Sequence, residues 1–338
     1  MIKYLKDERI TDIQINRRGV FPYVHGIAKE VHEDFFDQTG TSSEKWVQGF
    51  VKQFGKETAM TVSGVRIRAT YINSVQGEKI EVRVLPRKVP TLAGLGLPPI
   101  FSDILKMRSG GLVYVVGTTN AGKTSTSAAL IDGFNEVLVG QHIVTLEDPV
   151  EIIHEEKNAL ISQINVSTMG DTDGDAYSAS LRNVLRDNTK VVMIGETRDQ
   201  KALEMGISYA ESGCLVITTL HTGNVASTIH RIIDMMPPHK RDLIRFQLAS
   251  QLIAVIAQVL VWTKTGERTL MLEYAFPNLA MQENIRSKDD KVHMIKGEIQ
   301  TQEARKDPYF RSFKTSAEEL IKSGRVTEEM LQGYKKIF

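Results

Sequence analysis

Short apolar runs, separated by stretches with a helical period, organise most of this chain. Near its start, Asp12-Ile13-Gln14-Ile15-Asn16 carries apolar residues at every second position and predicts a strand, whereas Ser43–Phe54 predicts a helix capped by Ser42 or Ser43. Residues 65–72 and 79–85 alternate again and predict two strands joined through Ser74-Val75-Gln76-Gly77, with Arg66, Arg68 and Arg83 projecting from one sheet face. On pattern alone, such a row of arginines is a solvated surface. The stretch Thr91-Leu92-Ala93-Gly94-Leu95-Gly96-Leu97-Pro98-Pro99 breaks both periodicities and predicts a domain boundary. Beyond it the pattern changes. Residues 112–116, 141–146, 191–194 and 215–220 are continuous apolar runs with helical segments between them, which predicts a mostly parallel sheet covered on both faces. From about Thr263 the chain is more polar and reads as helical over 316–322 and 327–331.

Composition narrows the class without naming a partner. The chain has 338 residues, 41% apolar and 25% charged, the profile of a globular protein of roughly two domains. With 42 Lys and Arg against 41 Asp and Glu, the net charge of +1 gives no basic excess of the kind nucleic-acid binding uses. Cys214 is the single cysteine and lies in the apolar run Cys214-Leu215-Val216-Ile217. It reads as a buried structural thiol in a reducing compartment, with no internal disulfide or Cys-based zinc site. Residues 1–8 lack a long apolar core of the secretory type, and the apolar stretch 243–262 is interrupted by Arg245, Gln247, Gln251 and Gln258. The expectation is therefore a soluble, cytoplasmic protein.

The sharpest chemical signal is Gly117-Thr118-Thr119-Asn120-Ala121-Gly122-Lys123-Thr124, followed by Ser125, directly after the predicted strand 112–116. It matches the phosphate-binding loop G-x-x-x-x-G-K-[ST], which arises by chance about once in a hundred chains of this length. Glycines let backbone N–H groups close around phosphates, and a helix starting near Lys123 aims its positive end at them. Lys123 neutralises the β and γ oxygens, and the Thr124 hydroxyl ligates Mg²⁺. Asn120 suits a left-handed backbone position next best after glycine. Three further strands release polar residues at the same sheet edge: Glu147 before Asp148 and Pro149, Glu196 after Gly195, and His221. Ligands of parallel sheets bind at that edge. Singly, each of these could be a helix cap, a surface charge or a structural histidine.

With those motifs in order, the chain resembles the secretion ATPases of type II and type IV secretion and of type IV pili. It is most like the PilT-type pilus retraction group, with DotB-like ATPases of type IVB secretion close behind. The signatures are the Walker A loop from Gly117 to Thr124, the Asp box Thr145-Leu146-Glu147-Asp148-Pro149-Val150-Glu151 and the atypical Walker B Val192-Met193-Ile194-Gly195-Glu196-Thr197-Arg198-Asp199. The fourth is the His box, from Thr219-Leu220-His221-Thr222-Gly223 to His230-Arg231-Ile232-Ile233-Asp234. The resemblance implies an α/β fold: a small PAS-like α+β domain over 1–93, a Gly/Pro-rich linker over 94–100, and a RecA-like P-loop ATPase domain with a helical C-terminal part over 101–338. It implies ATP and Mg²⁺ as cofactors, bound by Gly117, Thr118, Thr119, Asn120, Ala121, Gly122, Lys123, Thr124 and Ser125, with Thr124 and Glu196 on the metal. By motif position, Glu147 corresponds to the water-activating base, Glu196 to a metal-side or second acid, and His221 to a γ-phosphate sensor. Arg68 and Arg83 correspond to arginines supplied across a subunit interface. Glu151 reads as a capping or surface charge one helical turn beyond Glu147.

The implied function is a homohexameric motor that hydrolyses Mg-ATP to power pilus dynamics, retraction foremost, or a related secretion machine. Its partner would be an inner-membrane platform protein, through which alone it would join the cytoplasmic face of the bacterial inner membrane; no nucleic acid is expected. The four-cysteine zinc module of many assembly and type II secretion ATPases is absent, which argues against that branch. The retraction group's Ala-Ile-Arg-Asn-Leu-Ile motif has only the poor match Ala280-Met281-Gln282-Glu283-Asn284-Ile285, which leaves a DotB-like or conjugative-pilus role open. A RecA-like nucleic-acid translocase and a small-molecule kinase would share the P-loop; near-neutral charge and two tryptophans argue against the first.

Overall fold

The computed structural model describes residues 7, 10–16, 19–24, 27–28, 43–166, 189–289 and 291–337. The chain divides into two compact units, one of residues 1–89 with Pro149–Ile153 and one of residues 90–148 and 154–338.

In the N-terminal unit, strands β1 (Asp12–Asn16), β2 (Gly19–Val24), β3 (Ile27–Ala28), β4 (Glu57–Val62), β5 (Val65–Ser74) and β6 (Gly77–Val84) form one sheet in the order β3-β2-β1-β6-β5-β4. Every pair within it is antiparallel. Alternation sends Ile13, Ile15, Ile67, Ala69, Ile80 and Val82 to one face, where they are buried with Val47 and Phe50 of the helix Ser43–Phe54. The opposite face receives the arginines: Arg68 stands directly across from Arg83, and Arg66 lies two positions along the same strand. The cap expected at Ser42 or Ser43 lies outside the described side chains.

The second unit opens with turns, not with extended chain. The Leu95 N–H donates to Thr91 O, the Leu97 N–H to Leu92 O, and the three leucines 92, 95 and 97 pack with Phe101 and Ile104 on the core of this unit. Its sheet comprises β7 (Gly111–Val116), β8 (His142–Glu147), β9 (Leu160–Asn165), β10 (Thr189–Ile194), β11 (Leu215–Leu220), β12 (Leu252–Trp262), β13 (Arg268–Ala275) and β14 (Phe310–Arg311). The order is β14-β13-β12-β7-β11-β10-β8-β9, parallel from β12 to β9, with β13 and β14 antiparallel.

The central strands β7, β11, β10 and β8 are buried on both faces, which is why they read as unbroken apolar runs. On β7, Leu112, Tyr114 and Val116 face the helices Gln200–Glu211, Val225–Asp234 and Arg241–Gln251. Val113 and Val115 face the opposite layer, with Leu130, Ile131 and Phe134 of the helix Lys123–Val137. Each side chain so buried contributes about 1.5–3 kcal/mol. Asp199 and Asn224 cap two of these helices, accepting from the Ala202 and Ser227 N–H groups. The apolar stretch 243–262 divides at Gln251: the helix ends there, and the β-branched sequence Ile253, Val255, Ile256, Val259 and Val261 continues as β12. Among the described residues no helix is long and apolar enough to cross a membrane.

Cys214 is buried, its thiol donates to Thr189 O at 3.0 Å, and burial raises its pKa, consistent with a structural role. The C-terminal helix expected at 316–322 spans Phe313–Lys322, but the one expected at 327–331 is replaced by 3-10 turns over Glu329–Ile337.

Candidate functional site

The loop after β7 is built around three positive-φ residues. Asn120 (φ 63°) and Gly122 (φ 85°) occupy the left-handed region expected of them. Gly117 (φ 155°) runs so close to β12 that a Cβ there would lie 2.4 Å from Gln258 O. Gly122 is the N-cap of the helix Lys123–Val137 and supplies no side-chain cap, so the first N–H groups of that helix face the loop, an arrangement suited to a phosphate. Thr124 and Ser125 occupy its first turn, and Thr118, Thr119 and Asn120 are exposed at the loop's tip.

Parallel register brings the other candidates to this edge. Leu220 pairs with Val116, so His221 leaves β11 beside Gly117. Ile194 pairs with both Thr218 and Leu146, so Glu196 follows β10 next to the end of β8, where Glu147 stands. The Lys123 ammonium donates to Gly117 O at 2.8 Å and Thr118 O at 3.0 Å and lies 3.3 Å from His221 Nδ1. His221 Nε2 is 3.5 Å from Glu196 Oε1, and Glu196 Oε2 accepts from Arg198 Nε at 2.8 Å. With the ammonium donating to Nδ1, the imidazole proton resides on Nε2, facing the carboxylate. Burial lowers the Lys123 pKa, and Glu196 opposes that shift.

Glu147, the last residue of β8, is 6% exposed. Its Oε1 accepts from Thr145 Oγ1 at 2.6 Å and from Gln163 Nε2 at 3.3 Å. Lys123, His221 and Glu196 thus form one chain of polar contacts, and Glu147 occupies the same sheet edge with donors of its own. Among the described residues no group of three His, Cys, Asp or Glu side chains could hold a metal ion. A Mg²⁺ here would depend on Thr124, Glu196 and the oxygens of a nucleotide.

Arg68 and Arg83 belong to the N-terminal unit. Arg83 Nε lies 3.3 Å from Asp12 Oδ1. Arg68 donates through Nε to Glu57 at 2.8 Å and through Nη1 to Glu151 at 2.9 Å. This corrects the reading of Glu151 as a capping or surface charge. Residues 148–159 form no helix, and the segment Pro149–Ile153 joins the N-terminal unit, where Glu151 pairs with Arg68 and Val150 O accepts from Arg66 Nη2 at 2.9 Å.

Two residues here, Gln163 and Gln258, lie outside the four motifs, and Thr145 opens the Asp box without a role assigned to it there. Thr145 and Gln163 hold the Glu147 carboxylate. Gln258, fully buried on β12, donates from Nε2 to Ala121 O at 2.6 Å and so fixes the phosphate-loop backbone. Its signal was a polar residue in the middle of an apolar strand.

Residues 55–304 match the profile of the family described as Type II/IV secretion system protein. The type IV pilus retractation ATPase PilT of Pseudomonas aeruginosa is 33% identical over 86% of this chain and 80% of its own length. A crystal structure of the pilus retraction motor PilT with bound ADP superposes with a TM-score of 0.81 and 28% identity, covering 98% of this chain and 95% of that one. The Legionella pneumophila ATPase DotB shares the fold at a TM-score of 0.80 and 20% identity, over 99% of this chain and 94% of its own.

Proposed function

Because this chain belongs to the Type II/IV secretion system protein family, we propose that it is an ATP-hydrolysing motor working on a membrane-anchored pilus or secretion machine, with type IV pilus retraction as its task. The observation that carries this reading is the contact chain from Lys123 through His221 to Glu196 at the mouth of an uncapped P-loop helix. Mg-ATP bound there would supply the transferable phosphoryl group and the metal charge that draws electrons from it. The backbone N–H groups of residues 117–123 and the Lys123 ammonium, now on two loop carbonyls, hold the phosphate oxygens. Thr124 and Glu196 would hold the metal, and Glu147 would take the proton from the attacking water. His221, between Lys123 and Glu196, registers whether Lys123 is engaged with phosphate. In a homohexamer, Arg68 and Arg83 reach a neighbour's nucleotide and neutralise charge in the transition state.

Lys123→Ala tests the site. The side chain serves an exposed loop, so the fold should survive while hydrolysis is lost; near-normal turnover would remove the assignment. ATPase rate against protein concentration, followed with sedimentation and with and without single-stranded DNA, tests the ring and separates a motor from a translocase. A second task is favoured by one departure: residues 280–285 match the retraction motif poorly, and in the helix Leu279–Arg286 Met281 and Ile285 are buried. Expression in a strain lacking its retraction ATPase distinguishes the two. Restored twitching assigns retraction, whereas intact ATPase activity without twitching assigns a DotB-like secretion role.

A further inference from the structure

We propose that Gln163 is a positioning residue for Glu147, holding its carboxylate in the orientation that activation of water requires. The proposal rests on the reading of Glu147 as the base. Gln163 stands on β9 in direct register with Thr145 of β8, and side chains two apart on a strand share a face, so Thr145, Glu147 and Gln163 lie together. Thr145 Oγ1 and Gln163 Nε2 both donate to the same oxygen, Oε1 of Glu147, at 2.6 and 3.3 Å. Two donors on one carboxylate oxygen fix the rotation of the group, and hydrogen bonds to an ionised acceptor are the strong ones.

The other end of the Gln163 amide explains why this residue is a glutamine. Its Oε1 accepts the backbone N–H of His154 at 2.8 Å. The chain leaves the second unit just after Glu147-Asp148, spends Pro149–Ile153 in the N-terminal unit, and returns at His154. One amide therefore staples both ends of that excursion: the carboxylate where the chain departs and the backbone where it comes back. A side chain here must donate in one direction and accept in the other. Glutamate would set an anion against Glu147, and leucine would satisfy neither partner. Because β9 is an edge strand and Gln163 is only half-buried, substitution should leave the fold intact.

The test is steady-state ATPase kinetics on the full chain with Gln163→Leu, Gln163→Glu and Glu147→Gln, each checked by thermal melting. Gln163→Leu should lower kcat about 10- to 100-fold, the usual effect of removing an outer hydrogen-bond partner, while KM for ATP stays within about twofold. In Gln163→Glu the two carboxylates titrate as a pair, and the acid limb of the kcat–pH profile should move up by about one unit. In a Glu147→Gln background, Gln163→Leu should produce no further loss. A Gln163→Leu enzyme with kcat within about twofold of wild type, or one whose loss lies in KM, overturns the proposal. If Gln163→Leu does not fold, an unmoved acid limb in Gln163→Glu overturns it instead. Failure of the underlying reading looks different: Glu147→Gln would itself retain wild-type turnover, and both assignments would fall together.

Discussion

Replacing Gln258 by methionine pits two effects of similar size against each other and separates their readouts. Gln258 is fully buried on β12, and its Nε2 donates to Ala121 O at 2.6 Å, while its Oε1 is buried with no hydrogen-bond partner among the described residues. Losing the donor strands the Ala121 carbonyl, at a cost of about 1–3 kcal/mol. Removing the unpartnered oxygen returns about 1–3 kcal/mol of desolvation, and the methionine fills nearly the same volume. Global stability should therefore change by less than about 1 kcal/mol. The phosphate loop has no such compensation, because Ala121 lies within it and the tie to β12 is gone. A loss of about 1–1.4 kcal/mol in preorganisation corresponds to nucleotide binding weakened about 5- to 10-fold. Urea unfolding and titration with a fluorescent nucleotide analogue measure the two separately. Loss of more than about 3 kcal/mol of stability with unchanged affinity would refute the reasoning, since it would make Gln258 a core residue and not a loop anchor.

Glu147→Gln and Glu196→Gln should each bind ATP with near-normal affinity and hydrolyse it slowly, because a base or metal-side acid acts mainly in the transition state; equilibrium binding and single-turnover rates check this. An Arg83→Ala protein and a Lys123→Ala protein, each inactive alone, should regain part of the activity when mixed before assembly if the arginine serves a neighbour's site, and absence of recovery in mixed hexamers removes the trans role. His154 is buried, and desolvation lowers its pKa more than Asp132 raises it, with Lys157 also lowering it. Its neutral ring therefore contributes stability that is complete above about pH 6.5, the ordinary imidazole value, and is lost as pH falls below that toward the depressed value. Melting temperature against pH should show an acid limb that flattens in His154→Gln.

The phosphate loop and the strands that carry Glu147, Glu196 and His221 were legible because each depends on a local pattern: an apolar run, then a turn whose residue types the backbone geometry demands. Asn120 shows this directly, with its φ of 63°. Gln163 and Gln258 were not legible, because their roles depend on which strands become neighbours. Gln258 counted only as an interruption of a long apolar stretch, yet the pairing of β12 with β7 places it beneath the loop that follows β7. Glu151 misled for the related reason that a carboxylate after a strand looks like a helix cap until the chain is seen to turn away. Arg245, another interruption of the same stretch, is buried and donates to Ile285 O at 3.4 Å.

The five residues Pro149–Ile153, held among the strands of the N-terminal unit while the residues on either side belong to the other, make that unit discontinuous in sequence. The polypeptide crosses between the units after Val89, after Asp148 and after Ile153, so no single cut yields two complete pieces. A fragment ending at residue 89 would expose Arg66 and Arg68 without the carbonyl and carboxylate that this segment brings to them, and a fragment starting at residue 90 would carry an orphan loop next to Glu147. Engineering that fuses, permutes or exchanges the N-terminal unit has to carry this inserted strip with it, and a chimera built on the linear boundary alone would inherit the wrong partner for its own Asp box.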